Sequence, residues 1–175
     1  MAFNKKSKTK EPENKEKAYE YAVFLLSLQL RTVGEIREKM IGRGYSSAVI
    51  ENILDQLHQQ KYLDDERYAE VYLENLKQYK NLGYYGIKKK FMLKKLPADI
   101  IGKILDEGLS VEEELKIAKR LLKKEGAAVS SSDDTEASDN TYNIYNEEQG
   151  KQKQKLAQKL KARGFRGDVV AKLVY

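Results

Sequence analysis

The sequence contains no cysteine, no tryptophan, two prolines and one histidine. Without cysteine the chain can form neither a disulfide nor a thiolate metal site, and the composition suits a reducing cytoplasm, where we expect the protein to act. The one histidine, His58, has no serine, cysteine or second histidine at a recognisable spacing, and the sequence has no glycine-rich phosphate-binding motif. We therefore expect a non-enzymatic protein without a catalytic residue, a cofactor or a metal site.

Long apolar runs are also missing, since no stretch approaches the roughly 20 residues that a membrane helix requires. Residues 1–14 are polar and basic with no apolar segment behind them, so we expect a disordered basic tail rather than a signal peptide or an anchor. The apolar residues that are present, mainly Leu, Ile, Ala and Tyr, recur every three or four positions, which is typical of α helices. The sequence predicts a soluble all-α protein with no membrane partner.

The charged residues are unevenly distributed. The chain has 33 basic and 27 acidic residues, but the segment 126–150 contains six acidic residues and no lysine or arginine. The other 150 residues therefore carry 33 basic against 21 acidic side chains, a net charge of +12. Such a basic helical body is expected to bind a polyanion, most commonly nucleic acid. The alternative is a lysine-rich surface that is merely solvated.

Capping residues mark the starts of several predicted helices. Thr32 and Glu35 form a capping box that begins a helix near Val33, and Gly44 is expected to end it in a left-handed conformation. We expect Gly83 to end a later helix, Pro97 to be the first residue of the next, and Gly126 to end a third. Further structural caps are expected at Ser46, at Asp64, and at Ser110 with Glu113.

Six apolar positions recur three times along the chain, and the hexapeptides MIGRGY at 40–45 and LKARGF at 160–165 belong to this pattern. We therefore predict an all-α fold of three tandem three-helix repeats, at residues 15–60, 61–108 and 109–175, stacked into an elongated curved solenoid. The acidic segment 126–150 is predicted to be a disordered insertion in the third repeat. The recurring sets are Ile36, Met40, Tyr45, Val49, Ile50 and Ile53; Ile87, Phe91, Leu96, Ile100, Ile101 and Ile104; and Leu156, Leu160, Phe165, Val169, Val170 and Leu173.

One stretch of the sequence, KYLDDERYAEVYLENLKQYKNLGYYGIKKKF, has a characteristic set of residues: Asp64, Asp65, Arg67, Tyr68 and Ala69, followed by Gly83 and Ile87. With these residues the chain resembles the RecX family, over roughly residues 18–175. It departs from that family's pattern in the acidic insertion, and its second repeat has Lys95 and Leu96 where the other repeats have a glycine and an aromatic residue.

The resemblance implies a regulator that binds the RecA recombinase filament on single-stranded DNA. Proteins of this family lie in the helical groove of the filament and inhibit recombinase and coprotease activity by limiting filament growth or promoting filament loss. The resemblance thereby implies a role in homologous recombination, DNA repair and the SOS response. We expect RecA and single-stranded DNA as partners, with double-stranded DNA as a further candidate, and a monomeric protein.

A stripe of cations on the second helix of each repeat is the candidate site for DNA or a protein partner. Because Ile87 and Phe91 hold the apolar side of their helix, the lysines beside them should face outward, and stacked repeats would align these cations along phosphates or an acidic groove. A solvated lysine-rich face is the alternative. The predicted basic stripe comprises Arg37, Lys39, Arg43, Lys88, Lys89, Lys94, Lys95, Lys155, Lys159 and Arg163.

Three tyrosines beside the stripe and one carboxylate pair have two interpretations each. Tyr79, Tyr84 and Tyr85 could stack on exposed bases or pack at helix ends. Asp64 and Asp65 could serve metal or acid–base chemistry, but they stand where a helix N-terminus favours negative charge, and we favour capping.

The acidic segment also has two interpretations. It could fold over the basic stripe and compete with DNA, in which case deleting residues 128–148 would tighten DNA binding at low salt, or it could be a plain loop.

Two other functions fit an all-α basic chain. A stand-alone DNA-binding protein of the helix-turn-helix type, acting in transcription, would give a sequence-specific footprint on duplex DNA. A helical-repeat scaffold that binds only protein would bind its partner independently of moderate salt, whereas phosphate contacts weaken as salt rises.

Overall fold

The computed structural model describes residues 8–124 and 139–174, and for residues 139–149 it describes only the backbone. These residues form nine α helices and no strand, so the predicted all-helical fold is confirmed. None of the described helices is long and apolar enough to cross a membrane. The helices are α1 (Lys15–Leu28), α2 (Val33–Arg43), α3 (Ser47–Gln59), α4 (Asp65–Tyr79), α5 (Tyr84–Leu93), α6 (Ala98–Gly108), α7 (Val111–Lys124), α8 (Asp139–Ala162) and α9 (Gly167–Val174).

The predicted capping box at the start of α2 is confirmed. The Thr32 hydroxyl accepts a hydrogen bond from the Glu35 N–H at 3.1 Å, and the Glu35 carboxylate accepts one from the Thr32 N–H at 3.3 Å. Gly44 follows the helix with a φ of 95°, a left-handed conformation that glycine adopts without steric cost. Ser46, Asp64 and Ser110 also accept from the N–H three residues later. The Glu113 carboxylate, predicted to form a capping box with Ser110, instead lies 3.1 Å from Lys77 Nζ.

Two predicted helix boundaries are wrong in detail. Helix α4 ends at Tyr79, and Asn81 takes up the left-handed conformation with a φ of 45°, as asparagine tolerates. Gly83 instead begins α5, since its carbonyl accepts from the Ile87 N–H at 2.9 Å. Pro97 precedes α6 rather than being its first residue, because its carbonyl already accepts the first hydrogen bond of that helix. The helix end predicted at Gly126 lies outside the described residues.

The turn after the second helix is the same in all three predicted repeats. Its left-handed residue has a φ of 95° at Gly44, 59° at Lys95 and 79° at Gly164. Lys95 therefore adopts the repeated conformation although it is not a glycine. In each turn the next N–H donates to the carbonyl five residues earlier, which closes the helix end. These bonds join Tyr45 to Met40 at 3.2 Å, Leu96 to Phe91 at 3.4 Å, and Phe165 to Leu160 at 3.1 Å.

The recurring apolar positions form the core. Fifteen of the eighteen are buried, and the other three, Ile100, Leu156 and Leu173, are half-buried. Burial at matched positions is what a helical repeat requires, because no single repeat can cover its apolar face alone.

The chain divides into two compact units. Unit 1 consists of Met1–Tyr72 and Lys90–Ile104, and unit 2 consists of Leu73–Lys89 and Leu105–Tyr175. Helices α4, α5 and α6 each contribute residues to both units. In unit 1, α1, α2 and α3 pack against one another around a single apolar cluster. The division into three repeats at the predicted boundaries stays a prediction, as does the elongated shape.

Residues 8–14 correct the expectation of a disordered tail, which extended over residues 1–14. The Thr9 N–H donates to the Arg43 carbonyl at 2.7 Å, and the Pro12 carbonyl accepts from the Ser46 N–H at 3.1 Å. Polar composition favours disorder only where no backbone partner is offered, and the turn after α2 offers several. Residues 1–7 lie outside the described part of the chain.

Helix α8 corrects part of the prediction for the acidic segment. It begins at Asp139, so the backbone of residues 139–150 is helical where we expected a loop. This stretch includes several Glu and Gln residues, which have good helix propensity and lead directly into the helical pattern that follows. The rest of the segment, residues 126–138, lies outside the described residues.

Candidate nucleic-acid interface

The two units divide the predicted basic stripe between them. Unit 1 contains Arg37, Lys39, Arg43, Lys94 and Lys95, and unit 2 contains Lys88, Lys89, Lys155, Lys159 and Arg163. Each unit therefore offers its own candidate surface, and a continuous stripe stays a prediction.

Three unit 1 cations bind other groups of the same unit. The Arg37 guanidinium makes a two-point bond to the Glu51 carboxylate, at 3.0 and 2.8 Å. The Arg43 guanidinium lies 5.3 Å from the centre of the Tyr21 ring. These contacts hold both arginine side chains against the helices of unit 1. The third such cation is Lys94.

Lys94 forms an internal ion pair and is a correction to the predicted stripe. Its Nζ lies 3.0 Å from the Glu35 carboxylate and 5.8 Å from the centre of the Tyr72 ring. Burial alone would lower the pKa of Lys94, but hydrogen bonds with Glu35 and Tyr68 outweigh it, so that the pKa is raised. Lys94 therefore stabilises the helix packing. Lys39 and Lys95 remain exposed, and Lys95 Nζ lies 4.0 Å from the exposed Glu38 carboxylate.

In unit 2, an exposed aromatic ring and two lysines share one side of helix α5, and a turn with an exposed arginine lies against the start of that helix. Tyr85 is 59% exposed, and Lys88 and Lys89 are exposed three and four residues later, which places all three on one side of the helix. The turn that carries the exposed Arg163 lies against the start of this helix, since the Gly83 N–H donates to the Arg163 carbonyl at 3.1 Å. We call Tyr85, Lys88, Lys89 and Arg163 the α5 surface.

The three candidate tyrosines differ in their surroundings. Tyr84 is half-buried, with the Arg166 guanidinium 5.1 Å from its ring centre and its hydroxyl 3.4 Å from Asp106. Burial and the negative Asp106 carboxylate raise the pKa of Tyr84. Its ring meets the Tyr85 ring edge-on, at 5.3 Å and 81°. Tyr84 is therefore a packing residue that supports Tyr85. Tyr79 is 67% exposed at the end of α4.

Close backbone packing positions the α5 surface. The Tyr85 N–H donates to the Gly164 carbonyl at 2.8 Å. Glycine is required at Gly83, because a Cβ there would lie 2.5 Å from the Phe165 nitrogen. A Cβ on Gly86 would likewise overlap the Arg163 carbonyl oxygen. The start of α5 and the turn after α8 therefore touch backbone to backbone, which leaves little freedom in the placement of Tyr85 relative to Arg163.

A buried carboxylate that the sequence analysis missed completes this joint. Glu114 is 0% exposed and accepts hydrogen bonds from the Tyr84 N–H at 3.0 Å, the Arg166 N–H at 2.8 Å and the Arg166 guanidinium at 2.5 Å. Glu114 is the last of three consecutive glutamates in the first turn of α7, where negative charge is common. The available signal was that Glu114 lies four residues before the buried Ala118, on the apolar side of α7.

Unit 1 contains an equivalent joint at the start of α2. Thr32 and Val33 there stand 51 positions before Gly83 and Tyr84 at the start of α5. The Thr32 hydroxyl donates to the Lys94 carbonyl at 2.5 Å, and the Val33 N–H donates to the Asp65 carboxylate at 2.9 Å. Asp65 lies four residues before the buried Ala69, as Glu114 lies before Ala118. In both units, a carboxylate from the first helix of the following predicted repeat thus caps the second helix of the repeat before it. Asp65 of α4 caps α2, and Glu114 of α7 caps α5.

The capping interpretation of the carboxylate pair is confirmed for Asp64 and extended for Asp65. Asp64 caps its own helix, whereas Asp65 caps α2. Burial raises the pKa of Asp65, and the hydrogen bond from Val33 only partly offsets this effect. Among the described residues, no group of three or more His, Cys, Asp or Glu side chains is placed to hold a metal ion.

Comparisons with known proteins point to one family. Residues 18–57 match the family model described as the first three-helix domain of RecX. The regulatory protein RecX of Haemophilus influenzae is 31% identical over 159 residues, which cover 90% of this chain and 92% of that protein. The RecX proteins of two Geobacillus strains are 30% and 32% identical, each over 62% of this chain, and the chain spans about two fifths of their length.

Two solved structures share the fold. A crystal structure of a regulatory protein RecX superposes with a TM-score of 0.71 at 23% identity, over 91% of this chain and 70% of that one. The crystal structure of RecX from Lactobacillus salivarius gives a TM-score of 0.70 at 21% identity, over 91% of this chain and 94% of that one.

Proposed function

The chain belongs to the RecX family of regulatory proteins, and from this premise we propose that it binds the RecA filament on single-stranded DNA. It thereby inhibits recombinase and coprotease activity, by limiting filament growth or promoting filament loss. It acts in the cytoplasm as a monomer and without catalytic chemistry of its own. The observation that carries this proposal is the α5 surface, where cations and an exposed aromatic ring lie side by side.

The α5 surface has the chemistry of a single-strand binding site. Lys88, Lys89 and Arg163 can neutralise backbone phosphates, and Tyr85 offers a ring face on which a base can stack. Because stacking does not read base identity, such a site suits a regulator that must act on any sequence coated by recombinase. The rigid joint beneath Tyr85 reduces the entropy lost on binding.

Unit 1 offers a surface better suited to protein. Ile41, Met92 and Leu93 are 59%, 61% and 63% exposed, at the ends of α2 and α5. Ile41 and Met92 occupy equivalent positions, 51 residues apart, and the exposed cations Lys39 and Lys95 stand near them in sequence. We propose that these apolar side chains contact the recombinase subunits, while the α5 surface contacts DNA.

Neutralising two cations tests the DNA contact. In the variant Lys88→Gln/Lys89→Gln we expect weaker binding to single-stranded DNA and a shallower salt dependence, because each lost phosphate contact removes about 0.7 from the slope of log K against log salt. Lys103→Gln is the matched control, since Lys103 is an exposed lysine engaged with Glu66 at 3.2 Å. Equal slopes for all proteins would contradict the assignment.

A pair of equally exposed tyrosines tests the stacking contact. Tyr85 and Tyr62 are both 59% exposed, but only Tyr85 lies on the α5 surface. We expect Tyr85→Ala to weaken binding to single-stranded DNA by about fivefold or more, since stacking on one base contributes roughly 1–3 kcal/mol. Tyr62→Ala should bind like the unchanged protein. Fluorescence anisotropy with a labelled oligonucleotide measures both.

Filament assays test the function itself. We expect sub-stoichiometric protein to slow RecA-catalysed strand exchange and filament ATP hydrolysis, and to shorten filaments in electron micrographs. Met92→Ser/Leu93→Ser should weaken this inhibition while leaving single-stranded DNA binding unchanged. A protein that binds neither DNA nor filament, and leaves both reactions untouched, would refute the proposal.

A further inference from the structure

The turn after the second helix forms hydrogen bonds with another segment of the chain in each of its three copies. At equivalent positions in the three copies, the turn offers a backbone carbonyl as a hydrogen-bond acceptor. This carbonyl belongs to Arg43 in the first copy, Lys94 in the second and Arg163 in the third. The Lys94 carbonyl accepts from the Thr32 hydroxyl at 2.5 Å, and the Arg163 carbonyl accepts from the Gly83 N–H at 3.1 Å. Both donors stand immediately before a helix, α2 or α5. This turn is thus a surface that receives the N-terminal end of a helix.

The first copy of the turn has a different occupant. The Arg43 carbonyl accepts from the Thr9 N–H at 2.7 Å, and the Ser46 N–H donates to the Pro12 carbonyl at 3.1 Å. The Ser46 hydroxyl also donates to the Glu13 carboxylate at 2.9 Å. Residues 8–14, which we call the N-terminal strap, therefore stand where the other two copies hold a helix, although the strap itself is not helical.

The strap fits its turn more loosely than the helices fit theirs. A Cβ on Gly164, which matches Gly44 in the third turn, would overlap the Gly86 backbone, so that joint is tightly closed. A Cβ on Gly44 would have only strap side-chain atoms near it, at 3.7 Å from Lys8 and 3.9 Å from Thr9. The side chains of residues 10–13 are exposed, so the strap buries little apolar surface. Segments of this kind open at low free-energy cost.

We propose that the turn at residues 43–46 is a docking surface for the N-terminal end of a helix from another protein, and that the strap occupies it until that helix arrives. The fitting helix has a threonine, serine or glycine as its cap and a small residue near its start, as Thr32 and Gly34 provide in the unit 1 joint. In the strap, the Thr9 N–H donates to the Arg43 carbonyl in place of such a helix cap. This inference does not depend on the proposed function, because it rests on the repetition of one turn within the chain.

An engineered disulfide tests the proposal in the full-length protein. A Cβ at position 44 would lie 3.7 Å from the Lys8 Cβ, within the range for a disulfide. Lys95 shows that the equivalent position accepts a side chain at a φ of 59°. Since the chain has no native cysteine, oxidation of K8C/G44C can lock only the strap.

The probe is a helix-stabilised, acetylated peptide that copies residues 31–43 and carries a fluorophore at its C-terminus. We expect the reduced variant to bind it at least about tenfold more tightly than the oxidised variant, as a blocked site requires. A peptide with Thr32→Val keeps the shape but loses the hydroxyl, and should bind about fivefold more weakly. The single variant G44C, treated with the same oxidant, should not change its affinity. Equal binding by the reduced and oxidised double variant, or no binding by either, would overturn the proposal.

A second pair of variants covers the case in which the crosslink does not form or does not fold. Thr9→Pro removes the N–H that donates to Arg43, whereas Thr9→Ala keeps it. We expect Thr9→Pro to bind the peptide several-fold more tightly than Thr9→Ala, while far-UV circular dichroism shows the same helix content for both. Equal peptide affinities of these two variants would also refute the docking surface.

Discussion

Replacing Glu114 with alanine removes the buried carboxylate that joins α5, α7 and the turn before α9. The variant leaves the Tyr84 N–H, the Arg166 N–H and the Arg166 guanidinium without their acceptor. The guanidinium keeps its 3.1 Å bond to the Leu109 carbonyl and is 25% exposed, so water can recover part of the loss. The two backbone groups have no such recourse if the surrounding packing persists.

The structure allows the magnitude of this loss to be worked out. Each hydrogen bond to a charged group contributes about 1.5–3 kcal/mol, and breaking a buried ion pair by removing one partner costs about 3–5 kcal/mol. Since Arg166 is partly exposed, we expect Glu114→Ala to lower the free energy of unfolding of unit 2 by about 3 kcal/mol. That is a large fraction of the stability of an ordinary domain.

Glu113→Ala is the matched control, one position earlier on the same helix. The Glu113 carboxylate lies 3.1 Å from Lys77 Nζ and is 41% exposed, and Lys77 also has a bond to Glu74 at 2.9 Å. Because Glu113 is partly exposed and Lys77 keeps its bond to Glu74, we expect Glu113→Ala to cost below about 1 kcal/mol. Urea denaturation followed by far-UV circular dichroism measures both variants, since the chain has no tryptophan for fluorescence. A difference between the two of less than about 1 kcal/mol would refute the role assigned to Glu114.

Two further predictions test the joints by thermal or urea denaturation. Gly164→Ala should lower the free energy of unfolding by about 2 kcal/mol or more, and Gly44→Ala by about 1 kcal/mol. Both changes add a side chain at a left-handed residue, but only a Cβ on Gly164 overlaps the Gly86 backbone. Equal losses for the two variants would contradict this packing. Burial raises the pKa of Asp65, so the contribution of its protonated form to stability is fully present below the ordinary value of 3.8 and is lost as pH rises through the folded pKa. Asp65→Asn, which can still accept from Val33, should therefore raise the urea midpoint at neutral pH, and this gain should shrink as pH falls below 3.8; a gain that is the same at both pH values would exclude burial of the charge as its cause.

Much of the local structure could be predicted from sequence because helix ends depend on residues three to five positions apart. The capping box at Thr32, the left-handed Gly44 and the caps at Ser46, Asp64 and Ser110 are all of this kind. The threefold apolar pattern likewise identified the buried positions, since burial of one helix side imposes a period of 3.6 residues. It also aligned Lys95 with two glycines before its left-handed conformation was seen.

The candidate site was predictable only in part. Exposure of Lys88 and Lys89 followed from the apolar positions beside them, but the ion pair of Lys94 with Glu35 joins residues 59 positions apart. Nothing in the local pattern distinguishes Tyr84, which packs under Arg166, from its exposed neighbour Tyr85. Composition likewise misjudged residues 8–14, because a polar segment can be held by backbone and side-chain hydrogen bonds to a neighbouring turn.

The sequence by itself determined where several of the helices begin, which of their sides are apolar, and that one three-helix pattern recurs three times. Those properties follow from interactions within one or two turns of a helix. Only the tertiary structure decided that Glu114 meets an arginine 52 positions later, that Asp65 caps α2 rather than its own helix, and that the strap takes the place of a helix at the first turn. Such pairings depend on which helix ends are brought together in space, and a buried polar group accepts whichever donor the packing brings within reach.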